Sequence, residues 1–591
     1  MTFGRTLFAS CLGTILGAIV IGGLSVLILL IAVISSLQQN EPDIPDQGIL
    51  EIGSGANQIV ERSEGGVFGM DGGVEFLRML QAVRSAAIDD RIRGILVRVS
   101  GISGGPAQLA ELRQELVRFK GSGKFVVASI NDGLVSEWPY YLATVADTIF
   151  MHPMGVLEIN GFATTVPYFK TAMDRLGIRA EVFKVGRYKS AVEPFLLDSA
   201  SDDAQENLES LLTDAINRFR SAVAVGRRLR VDQIDRILDS VVVLRSEDAL
   251  REKLIDVVAY DDEFDGAMRR RLSLDSTSKV PYVDLKKYMS EREEETALGT
   301  HQVAIVYVVG AIVDGESGYN PDPLFGGGVV GSETFAEAMQ EARASEAVRC
   351  VVVRIESPGG MMTASDVMWR EIKLTTHVKP VIVSMGNIAT SGGYYIAAAA
   401  DSIVADSGTL TGSIGVFGLF LNTSELMRET LGIGLDVMRT HPHADFMSGS
   451  RDMTASERAI LQRMVDSSYS RFLDVVAQAR RMSRDSVHAR AQGRVWTGAQ
   501  AHEIGLVDEL GGFDRALTIA RQRAGIPEAD VSYRLLPRPR GFLEQFIEQM
   551  GRAGSIMSNQ VETPSEIVIR QLEQLRQWSG VQFRGPTVVI R

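Results

Sequence analysis

The chain carries the same plan twice, and that duplication limits what it can fold into more than any other feature. The first copy reads Ile92-Arg93-Gly94-Ile95-Leu96-Val97-Arg98-Val99 and then Ser103-Gly104-Gly105. The second reads Val348-Arg349-Cys350-Val351-Val352-Val353-Arg354-Ile355 and then Ser357-Pro358-Gly359-Gly360, at an offset of about 254–256 residues. Lys124 to Ile130 matches Lys379 to Met385, and Tyr140-Tyr141-Leu142-Ala143 matches Tyr394-Tyr395-Ile396-Ala397. Leu176-Gly177-Ile178 matches Leu431-Gly432-Ile433, and Leu254-Ile255-Asp256 matches Leu506-Val507-Asp508. Copies of this length are duplicated domains rather than solenoid repeats. Apolar strands alternating with helical segments predict α/β layers with mostly parallel pairing.

The copies divide the chain into five stretches: an N-terminus with an apolar run (1–40), a first α/β domain (41–272), a connector (273–300), a second α/β domain (301–535) and a tail (536–591). No charged residue occurs from Thr6 to Asn40, and Ile15 to Leu37 is interrupted only by Ser25, Ser35 and Ser36 among the polar residues. That length satisfies the ~20 residues needed to cross a bilayer and exceeds a secretory h-region, so it predicts an uncleaved anchor. Arg5 precedes it and Glu41, Asp43 and Asp46 follow, which places the N-terminus in the cytoplasm and the bulk of the chain across the membrane. The connector, with Glu291-Arg292-Glu293-Glu294-Glu295, predicts an exposed helix. Gly315 to Gly331, with Asn320-Pro321-Asp322-Pro323, predicts a loop near the site. It is not a phosphate loop, because no Gly-Lys-Ser/Thr follows. Phe542, Phe546 and Met550, and again Leu572, Leu575 and Trp578, fall at helical spacing and predict an amphipathic docking tail.

The net charge of -13 argues against nucleic acid as a partner. The two cysteines, Cys11 and Cys350, have no partners at metal-ligand spacing, so neither a zinc site nor a disulfide framework is implied. His441 and His443 are the one close histidine pair, and they read as an exposed loop.

The two copies differ most where chemistry is to be expected. In the second, the strand Val378 to Met385 leads through Asn387-Ile388-Ala389-Thr390 into Ser391-Gly392-Gly393-Tyr394-Tyr395 and an alanine run to Ala400. Strand, glycine turn and helix lift a hydroxyl to a helix N-terminus, where free amides favour a developing oxyanion. Ser391 is then either a nucleophile or a helix cap. The first copy reads Leu134-Val135-Ser136-Glu137-Trp138 there, with no glycine turn. It carries instead Tyr188-Lys189-Ser190-Ala191-Val192-Glu193-Pro194-Phe195, and the position opposite Lys189 in the second copy is Ala444. One half keeps a serine and the other a lysine, which is the trace a split active site leaves. A lysine acts as base once burial lowers its pKa from ~10.4, and the apolar neighbours of Lys189 favour that.

Together with Thr411-Gly412-Ser413-Ile414-Gly415 and Gly505-Leu506-Val507-Asp508, these motifs resemble the signal peptide peptidase A family in its long, two-domain bacterial form. The likeness runs from the apolar segment to about residue 530. It implies tandem Clp-protease/crotonase-like domains and a membrane-anchored serine endopeptidase that degrades cleaved signal peptides and other short hydrophobic peptides, without metal or nucleotide cofactor. It further implies a homotetramer in the bacterial inner membrane with the catalytic domains outside the cytoplasm. By motif, Ser391 is the nucleophile and Lys189 the general base. Ser413 orients the lysine or serves as a turn hydroxyl. The amide of Gly392 and one from Gly359 or Gly360 would form the oxyanion hole, unless the latter pair only shapes the turn. Whether Lys189 meets Ser391 of its own chain or a neighbour's is not set by the sequence. A crotonase-like acyl-CoA enzyme and a non-catalytic membrane scaffold are the alternatives.

Overall fold

The computed structural model describes residues 44–54, 57–62, 73–131, 133–296, 300–320, 327–527, 530–538 and 580–584. The first half runs β1 (Gly48–Ile52), β2 (Ile92–Arg98), α1 (Pro106–Gly121), β3 (Phe125–Ile130), α2 (Glu137–Ala143) and β4 (Thr148–Met151). It continues through β5 (Arg179–Val185), α3 (Asp202–Arg227), β6 (Val257–Val258), β7 (Tyr282–Asp284) and α4 (Leu285–Thr296). Six of these strands form a parallel sheet in the order β6-β4-β3-β2-β1-β7. Ile95, Leu96, Val126 and Val127 are fully buried in its centre, as the near-continuous apolar runs of a sheet covered on both faces require.

The second half repeats the plan with β8 (His301–Val309), β9 (Ala311–Val313), β10 (Gly318–Asn320), β11 (Gly327–Gly331), β12 (Val348–Ser357), β13 (Gly359–Met361) and α5 (Met362–Thr376). Next come β14 (Val381–Thr390), α6 (Gly392–Ala397), β15 (Ser402–Ala405), β16 (Leu410–Gly412), β17 (Val416–Asn422) and α7 (Ala455–Arg480). The described chain closes with β18 (Val495–Thr497), β19 (Glu509–Leu510), α8 (Phe513–Ala524), β20 (Val531–Leu536) and β21 (Gly580–Arg584). Its main sheet has the order β18-β16-β14-β12-β8-β20, with β15 beside β14 and β19 beside β15. The long helices match as well: α3 starts on the hydroxyl of Ser201, and α7 on that of Thr454 with Glu457 completing a capping box.

A third sheet joins the halves in the order β5-β17-β21-β13-β9-β11-β10. The first half's β5 lies antiparallel to the second half's β17 in a seven-residue register from Arg179 opposite Asn422 to Val185 opposite Val416.

Three local expectations change. Part of the Gly315–Gly331 stretch is strand, because β10 and β11 pair antiparallel at the sheet edge; residues 321–326 lie outside the described set. The connector does contain a helix, α4, but it is not simply exposed. Tyr288 is fully buried, its hydroxyl donates to Asp89 Oδ2 at 3.1 Å, and Arg91 Nη1 donates to Glu291 Oε1 at 2.7 Å. In the tail, residues 580–584 form β21 between β13 and β17, while Phe542, Phe546, Met550, Leu572, Leu575 and Trp578 lie outside the described residues. The apolar run Ile15–Leu37 also lies outside them. Among the described residues no helix is long and apolar enough to cross a membrane.

Candidate active site

β14 ends at Thr390, α6 begins at Gly392, and Ser391 is the single residue between them. It sits at φ 54°, ψ −111°, a left-handed conformation that costs a non-glycine residue about 1–3 kcal/mol. The surroundings impose it. Ser391 N–H donates to Gly412 O at 2.8 Å, and Ser391 O accepts from Tyr395 N–H at 2.8 Å. Thr390 Oγ1 donates to Pro358 O at 3.0 Å, and Tyr394 Oη to Leu506 O at 2.8 Å. The glycine after the serine is a packing requirement: a Cβ on Gly392 would stand 2.6 Å from Ser365 Oγ.

Lys189 comes from the other half. The β5–β17 ladder carries the chain to Val185, and Gly186 at φ 112° turns it. Tyr188 N–H then docks on Gln492 O at 2.8 Å. Lys189 follows, fully buried, with Nζ 2.9 Å from Ser391 Oγ of the same chain and 3.1 Å from both Ser413 O and Ser413 Oγ. Its stem runs past Gly415, where a Cβ would approach Cδ to 3.2 Å, and its backbone lies against Gly493, where a Cβ would stand 2.7 Å from Lys189 N. The Phe417 ring centroid lies 6.0 Å from Nζ. Burial pulls the ammonium pKa well below the ordinary lysine value, and no neighbouring charge offsets it. A neutral amine has two N–H bonds and a lone pair. Ser413 O only accepts and Ser413 Oγ can accept, so both N–H bonds can be satisfied there with the lone pair left for the proton on Ser391 Oγ.

The glycines named from the sequence converge on the serine. The Gly392 Cβ position is 3.2 Å from Gly360 N and 3.3 Å from Gly359 Cα. Gly359 N–H donates to Ser357 Oγ at 3.1 Å, so of the two it is Gly360 whose amide stands against Gly392 without that engagement. Gly360 is crowded from its other side, a Cβ there reaching to 2.0 Å from Ile312 O. β21 runs antiparallel along both β13 and β17, with Phe583 opposite Gly360 and Gln582 opposite Phe417. Beside the site, an extended segment is thus accommodated as an added strand.

The sequence reading missed the support beneath the site. Arg354 on β12 is fully buried and donates to both carboxylate oxygens of Glu61, at 2.8 and 2.9 Å, to Glu111 Oε1 at 3.2 Å and to Ser384 Oγ at 2.9 Å. Glu356 Oε2 accepts from Asn387 N–H at 2.6 Å, and Asn387 Oδ1 accepts from the α1 amides of Ala107 and Gln108 at 3.0 and 3.2 Å. Burial raises the Glu111 carboxyl to about 7 and pushes the Glu356 carboxyl above its ordinary range. The strands bearing the serine and the glycine loop are thereby tied to the first half. The only sequence signal was an arginine directly after the run Val351-Val352-Val353, and it recurs as Arg98. His443 meets Glu457 through Nδ1 at 2.9 Å and His441 is exposed; among the described residues no group of His, Cys, Asp and Glu could hold a metal ion.

The model of peptidase family S49 matches residues 118–274 and 373–527, one segment in each half. The serine protease SPPA, chloroplastic, of Arabidopsis thaliana is 33% identical over 470 residues, 79% of this chain and 68% of its own length. Protease 4 of Salmonella typhi is 34% identical over 468 residues, covering 77% of this chain and 73% of its own. Protease 4 of Haemophilus influenzae is 32% identical over 452 residues, 75% of this chain and 72% of its own.

Proposed function

We propose that this chain, which belongs to peptidase family S49, is a membrane-anchored serine endopeptidase that cuts short hydrophobic peptides, remnant signal peptides among them, with a Ser391–Lys189 dyad. The 2.9 Å approach of a buried Lys189 Nζ to Ser391 Oγ carries the reading. Neutral Lys189 takes the hydroxyl proton as Oγ attacks the scissile carbonyl carbon. The N–H groups of Gly392 and Gly360 receive the oxyanion. The C–N bond then breaks as Lys189 returns its proton to the leaving amine, and the Lys189 amine, neutral again, takes a proton from the water that hydrolyses the ester. Ser413 holds Nζ in line throughout.

An extended peptide would lie beside β13 and β17, where β21 now lies, and be recognised by main-chain hydrogen bonds that demand no single sequence. Each half takes the Clp-protease/crotonase-like fold, the uncharged run from Thr6 to Asn40 anchors the chain in the bacterial plasma membrane with both domains outside the cytoplasm, and four copies assemble. The apolar run with its flanking charges, and the motif resemblance, support these last points.

The test is covalent. A serine-directed acylating inhibitor applied to the full chain should add one acyl group to the peptide bearing Ser391, located by mass spectrometry. Ser391→Ala should take up none, and Lys189→Ala should label at least about 10²-fold more slowly, the scale of lost general-base catalysis. Labelling at another residue, or equal rates in wild type and Lys189→Ala, would overturn the reading.

A further inference from the structure

The two copies differ in one more place than the dyad. In the first, Leu176-Gly177-Ile178 leads into β5, which is covered on one side by the second half's β17. Gly177, at φ 72°, packs so closely on the second half that a Cβ would stand 2.8 Å from Leu426 N, and Ile178 and Phe183 are buried. In the second copy, Leu431-Gly432-Ile433 leads into residues 434–440, Gly-Leu-Asp-Val-Met-Arg-Thr, whose Asp436-Val437-Met438-Arg439 matches Glu181-Val182-Phe183-Lys184 of β5 in size and charge. Gly432 keeps the same backbone conformation, φ 67°, yet nothing lies within 4 Å of its Cβ position. Ile433 is 42% exposed, and Met438, the counterpart of buried Phe183, is 91% exposed. Residues 434–440 belong to no strand. A sequence made like β5, with an apolar residue at Leu435, Val437 and Met438, stands exposed and has no strand partner among the described residues.

The missing partner is identifiable from the same symmetry. The first-half counterpart of β17, at an offset of 254, is residues 162–168, Phe-Ala-Thr-Thr-Val-Pro-Tyr. This segment also belongs to no strand, but its residues alternate between half-buried and exposed from Phe162 to Tyr168, as an extended edge does. Phe162 is anchored by stacking on Trp138, ring centroids 4.9 Å apart. The helix Lys170–Leu176 follows, just as residues 423–430 follow β17 and receive Gly177.

We propose that residues 434–440 of one copy pair antiparallel with residues 162–168 of the next copy, repeating between chains the β5–β17 ladder made within one. Transferred from that ladder, the register sets Val437 opposite Thr165, Met438 opposite Thr164 and Arg439 opposite Ala163. Pro167 withholds one N–H and ends the ladder. The donor lies on the second half and the acceptor on the first, so the contact is heterologous and each copy offers one of each, which builds a head-to-tail ring when the rotation closes. The proposal rests on the reading of this chain as a homo-oligomer and names the surfaces that join it.

The experiment mixes two variants of the full chain in detergent, Val437→Cys and Thr165→Cys, each with Cys11→Ser, under mild oxidation; the one other cysteine, Cys350, is buried in β12. The expected result is a disulfide between copies for this pair, at least about five times the yield of Val437→Cys mixed with Ala163→Cys, which is two residues out of register. Met438→Glu, at an exposed position of the isolated chain, should lower the mass by light scattering while leaving the circular dichroism unchanged. An oligomeric mass without in-register cross-linking would overturn the strand pairing and leave the assembly reading standing. A mass of one chain for the wild type would overturn both.

Discussion

Tyr140 and Tyr394 each donate a hydroxyl to a leucine carbonyl, Leu254 O at 2.6 Å and Leu506 O at 2.8 Å. Counted back from them, Glu137 and Ser391 occupy the same place in two copies of one turn. In the first half the chain enters α2 through Ser136 at φ −88°, ψ −176°, ordinary extended backbone, and Trp138-Pro139 stand where the second half has Gly392-Gly393. The buried Glu137 carboxylate accepts from Asn160 and Gly161 N–H at 2.9 and 2.8 Å, closing that end of the half with its own side chain. In the second half the backbone crosses to positive φ at Ser391 itself, Gly392 leaves room for Ser365 and Gly360, and Lys189, brought from the first half, meets the hydroxyl. Equivalent strands surround both turns. A strained seat for the hydroxyl and a buried lysine amine aimed at it separate the second copy's turn from the first's.

The sharpest way to break this contrast is to remove each side chain in turn. Ser391→Ala should lower kcat on a fluorogenic apolar peptide by at least about 10³-fold, whereas Glu137→Ala should leave it within about twofold. A large activity loss in Glu137→Ala without unfolding would mean that the first turn takes part in the chemistry. Gly392→Ala should lower kcat by about 10²–10³-fold with a much smaller change in KM, because the methyl pushes against Ser365 and Gly360 and misplaces an oxyanion donor. Ser413→Ala removes one contact to Nζ, and a lost buried hydrogen bond of about 1–3 kcal/mol corresponds to about a ten- to hundredfold fall in kcat. The smallest effect is on stability. Burial raises the Glu111 carboxyl to about 7, so its contribution is complete below the unfolded value of 4.5 and is lost as the pH climbs through about 7. Urea unfolding should therefore give a stability that declines across that window, and Glu111→Gln should flatten the decline.

Much of this was legible in the sequence because duplication supplied its own control. Ser391 and Lys189 stood out as the positions where one copy kept a chemistry-bearing residue and the other did not, and the glycines followed from the turns. What stayed hidden depends on pairings between distant segments. Nothing in Arg179–Val185 names β17 as its neighbour, yet that ladder is what brings Lys189 to the serine of its own chain. The glycine-rich stretch after Gly315 has loop composition and still supplies edge strands, since β10 and β11 need only main-chain partners. Tyr288 sits in a charged helix that reads as exposed until Asp89, far away in sequence, accepts its hydroxyl. β21 lies past the end of the repeat, where no second copy existed for comparison.

The central claim is that a neutral, buried Lys189 activates Ser391, and kcat/KM as a function of pH tests it most directly, on a short apolar peptide with wild type and Lys189→Ala. The account predicts a wild-type rate that rises through an apparent pKa well below the ordinary lysine value of 10.5 and a variant at least about 10²-fold slower with that rise gone. A variant that keeps the wild-type rate, or the same rise in both proteins, would contradict it.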